Sequence, residues 1–133
     1  MTNEYLKADR ERNQLGDYNA CSVIALTIVT GKSYKKCYDA LKKLGRKHGR
    51  GAHVCDVFEA AALLGKRVTV APKSAAIRKA KTVNQIDKVG VARTRKYLVI
   101  VNGHILAVSG GKVHDWTSGK RHRPKYIYQV ISK

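Results

Sequence analysis

The chain has 133 residues, 44% of them apolar, a length and composition that suit one folded domain and exclude wholesale disorder. Lysine and arginine number 27 against 9 aspartates and glutamates, which gives a formal charge of +18. This excess favours polyanionic partners: nucleic acid, ribosomes, anionic membrane surfaces or acidic proteins. The bases are spread over residues 32–50, 73–96 and 120–125, so a basic face is predicted rather than a tail. A role in solubility alone, or a highly basic source proteome, is the alternative.

The cysteines indicate a reducing compartment. Cys21, Cys37 and Cys55 are odd in number and form no Cys-x-x-Cys pair, so they make a poor disulfide framework. The first apolar run, residues 20–29, is too short to cross a bilayer, and acidic residues precede it, unlike a signal peptide. We therefore expect a soluble cytoplasmic protein with no integral membrane segment.

The first half of the chain has mainly helical patterns. Residues 1–18 are polar and show no clear periodicity, so an irregular lead-in is expected there. Helices are predicted over 20–30, 34–44 and 52–64, ended by Gly31, Gly45 and Gly65. The β-branched residues of the first of these segments keep a strand as its alternative.

The second half, residues 66–133, has mainly strand patterns. A strand is predicted over 66–71 and a short helix with a capping-box pattern over 82–89. Further strands are predicted over 97–102, 104–109, 112–116 and 125–131, with turns at Asn102-Gly103 and Gly110-Gly111. Helices followed by an antiparallel meander predict a single α+β domain over residues 1–133.

Three residues are candidates for nucleophilic catalysis. Cys21 begins a predicted helix, where free N–H groups and the helix dipole favour a thiolate and can bind an oxyanion. His104 begins a strand, and Asp115 follows eleven positions later beyond a tight turn, so the two strands lie side by side. The carboxylate can then orient the imidazole as general base. The alternatives are an inert core cysteine, a half-buried strand histidine and an edge-strand aspartate.

Several segments resemble a known family when taken in order. They are Tyr18-Asn19-Ala20-Cys21-Ser22-Val23-Ile24-Ala25-Leu26, Gly31-Lys32-Ser33-Tyr34, residues 57–65, Gly103-His104-Ile105-Leu106-Ala107-Val108 and Val113-His114-Asp115. Together they resemble papain-like cysteine peptidases, especially the compact bacteriocin-processing (C39-like) branch. The resemblance covers about residues 14–116.

The resemblance implies a fold and a set of roles. Helices, with the nucleophile at the start of the first long one, would pack on a C-terminal antiparallel sheet. Cys21 would be the nucleophile, His104 the base and Asp115 the orienting acid. The family carries an oxyanion-binding glutamine about six residues before the cysteine. Here Gln14 is seven residues before, so Gln14 or Asn19 is expected to bind the oxyanion together with backbone amides.

Other polar clusters predict binding rather than metal chemistry. Arg121 and Arg123, with Trp116 near the proposed site, are candidates for holding an acidic substrate or another polyanion. The cysteines and histidines of residues 37–55 have no common zinc spacing, and the glycine-rich loop 45–51 lacks the P-loop ending. We expect no metal and no cofactor.

The leading hypothesis is a cysteine hydrolase, a peptidase or other amide-bond hydrolase, acting on a protein or peptide. The alternative is a catalytically weak or inactive papain-like protein that binds nucleic acid, a ribosome or an acidic protein through its basic surface. The compact, base-rich form is what we expect of a phage or mobile-element protein in the host cytoplasm.

Overall fold

The computed structural model describes all 133 residues and has an α+β architecture. Its helices are α1 (Asn3–Leu15), α2 (Cys21–Thr30), α3 (Tyr34–Lys43), α4 (Val54–Leu63) and the short α5 (Val83–Ile86). Its strands are β1 (Lys66–Val70), β2 (Lys96–Val101), β3 (His104–Ser109), β4 (Lys112–His114) and β5 (Tyr126–Ser132), and a 3₁₀ turn spans Ala76–Lys79.

The five strands form one antiparallel sheet in the order β1-β5-β2-β3-β4. Two tight hairpins, β2–β3 and β3–β4, form one half of the sheet. In the first, Val101 pairs with His104 across the Asn102-Gly103 turn, and in the second Ala107 pairs with His114. The predicted meander is therefore present, although β5 inserts between β1 and β2.

Both faces of the central strands are buried, because alternate side chains enter two different hydrophobic clusters. Leu98, Ile105 and Ala107 pack with helices α1–α4 on one face. Val99, Leu106 and Val108 pack on the other face with the connector that contains the 3₁₀ turn and α5. The helical half and the connector therefore lie on opposite sides of the sheet.

The expectation of an irregular lead-in over residues 1–18 is wrong, because residues Asn3–Leu15 form the longest helix. The side chain of Thr2 accepts a hydrogen bond from the Tyr5 N–H, and Gly16, in the left-handed conformation, ends the helix. Tyr5 and Ala8 are buried against the core. The helix that begins with Cys21 is consequently the second long helix and not the first.

Two other predicted elements are shorter in the structure. Strand β4 ends at His114 because the Asp115 carboxylate accepts hydrogen bonds from the Thr117 N–H and hydroxyl, which turns the chain away. Helix α5 ends at Ile86, and its expected capping box does not form: the Gln85 side chain accepts from the Lys81 N–H. No helix combines the length and apolar character that a membrane crossing requires.

A buried ion pair holds the loop that leads into α2. Both carboxylate oxygens of Asp17 contact the Arg46 guanidinium, at 3.0 and 3.1 Å, and both side chains are almost fully buried. Asp17 also accepts hydrogen bonds from the Tyr34 hydroxyl at 2.6 Å and from the Gly49 N–H at 2.8 Å. The burial of Asp17 raises its pKa, but these donors outweigh burial and hold the pKa below its ordinary value of 3.8.

We expect Asp17→Asn to destabilise the protein by about 3–5 kcal/mol, because it leaves the Arg46 cation buried without an anion. The control is Asp39→Asn, which removes the exposed Lys35–Asp39 pair and should cost about 1 kcal/mol at most. Urea unfolding at neutral pH measures both. The pKa of Asp17 is depressed by folding, so its contribution is present above pH 3.8 and is lost as the pH falls through the folded pKa. Equal losses for the two variants would contradict the importance of the buried pair.

Candidate active site

The thiol of Cys21 lies at the N-terminus of α2. Ala20 occupies the N-cap position and no side chain caps the helix, so the N–H groups of its first turn remain free for a ligand. Asn19, with a φ of 50°, turns the chain into the helix. Its side-chain amide donates to the Gly49 carbonyl at 3.0 Å, which ties this turn to the glycine-rich loop.

The imidazole of His104 and the carboxylate of Asp115 are hydrogen-bonded. His104 Nε2 lies 2.8 Å from Asp115 Oδ2, and both side chains are largely buried. Thr117 donates two hydrogen bonds to the same oxygen, from its N–H at 3.1 Å and its hydroxyl at 2.6 Å. The carboxylate is therefore held in one orientation, and Nε2 is occupied, so His104 has Nδ1 left for another partner.

The Cys21 thiol lies beside the His104 side chain and the backbone N–H of Ile105, the next residue of β3. Burial raises the pKa of Cys21, but its interactions with these two groups and the charge of His104 outweigh burial, and the net pKa is lowered. Burial lowers the pKa of His104, but its hydrogen bond with Asp115 and its interaction with the Cys21 thiol raise the pKa to about 9. Both shifts favour the thiolate–imidazolium pair over the neutral thiol and imidazole.

The three groups open onto one cavity of about 490 Å³. Helix α1 forms one wall, and the start of α2, the start of β3 and the loops around the site form the others. The lining residues are Tyr5, Asp9, Arg12, Tyr18, Asn19, Ala20, Cys21, Ile24, Gly51, Gly103, His104, Asp115 and Trp116. A larger cleft of about 1070 Å³ between the start of α1 and β4 contains neither Cys21 nor His104. Cys21, His104 and Asp115 therefore all lie at the smaller cavity.

The two residues expected to bind the oxyanion are placed differently. Asn19 lines the cavity, with its amide nitrogen already donating to Gly49. Gln14 is exposed on α1 and does not line the cavity. It lies two residues beyond Arg12, which does line it, and two residues turn a helix by about 200°. The helix thus separates Gln14 from Cys21.

Of the three residues expected to bind substrate or a polyanion, one lines the cavity and two do not. Trp116 lines the cavity, half-exposed, with its ring centroid 5.3 Å from that of His104. Arg121 and Arg123 are exposed in the loop after Asp115 and do not line the cavity. The residue between them, His122, connects this loop to the cavity, because its ring lies edge-on to that of Trp116 with the ring centroids 6.1 Å apart.

Sequence reasoning missed the contribution of α1 to the site. Tyr5, Asp9 and Arg12 recur with the spacing of one helix face and all line the cavity. The signals for this helix are Thr2 before it and Gly16 after it, residues typical of a helix N-cap and C-terminus.

No group of three or more histidine, cysteine, aspartate or glutamate side chains is arranged to hold a metal ion.

No protein-family model, curated protein or solved structure matches the chain.

We expect iodoacetamide to alkylate Cys21 at neutral pH faster than Cys37, which is buried with a raised pKa, and faster than the exposed Cys55. His104→Ala removes interactions that lower the Cys21 pKa, so that pKa should rise. At a pH below the pKa, each unit of increase in the pKa reduces the thiolate fraction about tenfold. Asp115→Asn should act in the same direction, because His104 loses the carboxylate that keeps it protonated. Mass spectrometry of each cysteine over a pH series measures this; a Cys21 profile that ignores both substitutions would contradict the coupling.

Proposed function

We propose that the protein is a cysteine hydrolase that cleaves an amide or related acyl bond in a protein or peptide. The observation that carries the proposal is the placement of Cys21, His104 and Asp115 at one cavity, with His104 hydrogen-bonded to Asp115, the pKa of the thiol lowered and that of the imidazole raised. A buried cysteine without such a partner is a protonated core residue, as Cys37 is. The contrast between two cysteines of one chain supports a chemical role for Cys21.

The geometry supports a two-stage reaction. The Cys21 thiolate attacks the carbonyl carbon, and the C=O electron pair moves onto oxygen. As that pair returns, the C–N bond breaks and the His104 imidazolium gives its proton to the leaving amine. His104, now neutral, takes a proton from water, which attacks the thioester, and the acid is released with Cys21 as the thiolate. Asp115 holds the imidazole in place throughout.

The proposal extends to a papain-like architecture. A nucleophilic cysteine at a helix N-terminus, packed against the strand that begins with the histidine, is the arrangement that the sequence resemblance implies. The order of these elements along the chain supports the same relationship. Three free cysteines and a compact basic domain are in keeping with a phage-encoded protein that acts in a host cytoplasm.

We expect Cys21→Ala to abolish cleavage of a proteome-derived peptide library, read by mass spectrometry as new termini. His104→Ala should lower the rate by about 10²–10⁴-fold, the usual contribution of a general acid–base. Cys55→Ala is the matched control, because Cys55 is exposed and outside the cavity, and it should cleave as the wild type does. New termini produced equally by the Cys21→Ala protein would reject the proposal.

A second function, polyanion binding, is favoured by the packing of one basic loop. The Val83 and Asn84 N–H groups, at the start of α5, donate to the carbonyls of His122 and Lys120 at 2.8 and 2.9 Å. This joins two basic segments into one surface, which we call the α5-side basic surface: Lys79, Lys81, Lys120, Arg121 and Arg123. None of these side chains forms an ion pair. Such a surface is suited to phosphates.

We expect a fluorescein-labelled single-stranded oligonucleotide to bind with an affinity that falls steeply with salt. Arg121→Ala with Arg123→Ala should weaken binding and lower the slope of log affinity against log salt by about one for each phosphate that is no longer neutralised. Lys35→Ala with Lys36→Ala is the control, because α3 packs on the opposite side of the sheet. Fluorescence anisotropy measures both, and an affinity independent of salt or an equal effect of the two pairs would exclude this surface.

A further inference from the structure

The hydroxyl of Tyr5 is a hydrogen-bond donor that the protein itself leaves unused. Tyr5 is only 8% exposed, and it lines the same cavity as Cys21 and His104. Its hydroxyl makes no hydrogen bond within the protein, yet it is not sealed from solvent, since the only fully enclosed side-chain atom without a partner is Arg46 Nε. A tyrosine hydroxyl placed this way is available to whatever enters the cavity.

Two other side chains of this wall, Arg12 and Asn19, already donate hydrogen bonds within the protein. Arg12 donates through Nε to Asp9 at 2.7 Å and through a terminal nitrogen to the Asp17 carbonyl at 2.6 Å. The Asn19 amide donates to Gly49. Tyr18 is 60% exposed, at the open side of the cavity. Tyr5 is therefore the buried, unengaged donor of this wall.

The surroundings keep the Tyr5 hydroxyl protonated. Burial, with the nearby charge of Asp9 and Asp115, raises the pKa of Tyr5 to about 12, and the charge of Cys21 contributes in the same direction. The group is thus neutral and able to donate whenever the thiolate is present. Because the hydroxyl is uncharged, it adds no charge that would shift the thiolate–imidazolium pair towards its neutral form.

We propose that the Tyr5 hydroxyl, together with the free N–H groups at the start of α2, forms the oxyanion hole of this site. The inference rests on the proposed hydrolase function and gives Tyr5 the role for which the sequence suggested Gln14. As the Sγ–C bond forms, the C=O electron pair moves onto oxygen, and Tyr5 donates a hydrogen bond to that oxygen while keeping its proton. When the pair returns and the leaving group departs, the hydrogen bond weakens again.

A positioning role through Asp115 is the competing explanation, and alkylation separates the two. Iodoacetamide reacts with a thiolate by displacement at carbon and forms no oxyanion. p-Nitrophenyl acetate acylates the thiolate through a tetrahedral oxyanion, and its p-nitrophenolate leaves without needing a proton from His104. An oxyanion donor affects only the second reaction, whereas a residue that positions Asp115 or His104 affects both.

The experiment measures both rates at Cys21 in the full-length wild type and in Tyr5→Phe. Tyr126→Phe, at an exposed tyrosine outside the cavity, is the matched control. We expect Tyr5→Phe to lower acylation by about tenfold or more, since an oxyanion donor contributes about 10²–10³ with less reactive substrates. Its alkylation rate and pH profile should equal those of the wild type. Its urea unfolding should also be unchanged, because the hydroxyl has no partner to lose.

Three outcomes would overturn the inference. Equal losses of alkylation and acylation, with a shifted pH profile, would make Tyr5 a positioning residue. Unchanged acylation would exclude it from the oxyanion hole while leaving the hydrolase proposal intact. A wild-type Cys21 no more reactive than Cys55 towards either probe would reject the hydrolase proposal itself, and the role of Tyr5 with it.

Discussion

The buried contact between Asp17 and Arg46 is the constraint on which the position of Cys21 depends. Asp17 lies four residues before the cysteine, and its carboxylate collects hydrogen bonds from the α3 side chain Tyr34, from Arg46 and from the Gly49 backbone. A charge removed from water this completely is stable only when all of its partners are in place. These contacts tie the chain between α1 and α2 to α3 and to the glycine-rich loop, and so position the helix N-terminus that carries the thiol.

The opposite half of the site depends on the sheet. Strand β3 is buried on both faces, which leaves its register no freedom, since a slip of one residue would exchange the two hydrophobic clusters. His104 is its first residue, and the β3–β4 hairpin returns the chain so that Asp115 reaches the imidazole. Two independent constraints, a buried ion pair and a doubly buried strand, thus meet at the contact between thiol and imidazole.

Most of this arrangement follows from local sequence patterns. Glycine turns between short apolar runs predict β2, β3 and β4, and the length of the β3–β4 hairpin predicts that Asp115 lies near His104. The sequence does not predict α1 because most of its residues are polar and only Tyr5 and Ala8 are buried, which is too few for a recognisable apolar stripe. The stability of this helix comes from tertiary packing. The Asp17–Arg46 pair joins residues far apart in sequence, so no local pattern reveals it. The position of Gln14 relative to Cys21 also cannot be read from a local pattern, because it depends on both α1 and the loop that follows it.

The distribution of charge follows from how few acids the chain contains. Residues 60–133 have only two side-chain carboxylates, and both are used inside the protein: Asp87 accepts from the Val113 N–H, and Asp115 holds His104. The bases of this half therefore have no acidic partner within it, and their field extends to the region beside Trp116 and His122. For the proposed hydrolase, this positive potential favours an acidic polypeptide over a basic one by attraction at long range. The proposed site and the α5-side basic surface are linked electrostatically, because both carboxylates of residues 60–133 serve internal hydrogen bonds and neither offsets the bases around them.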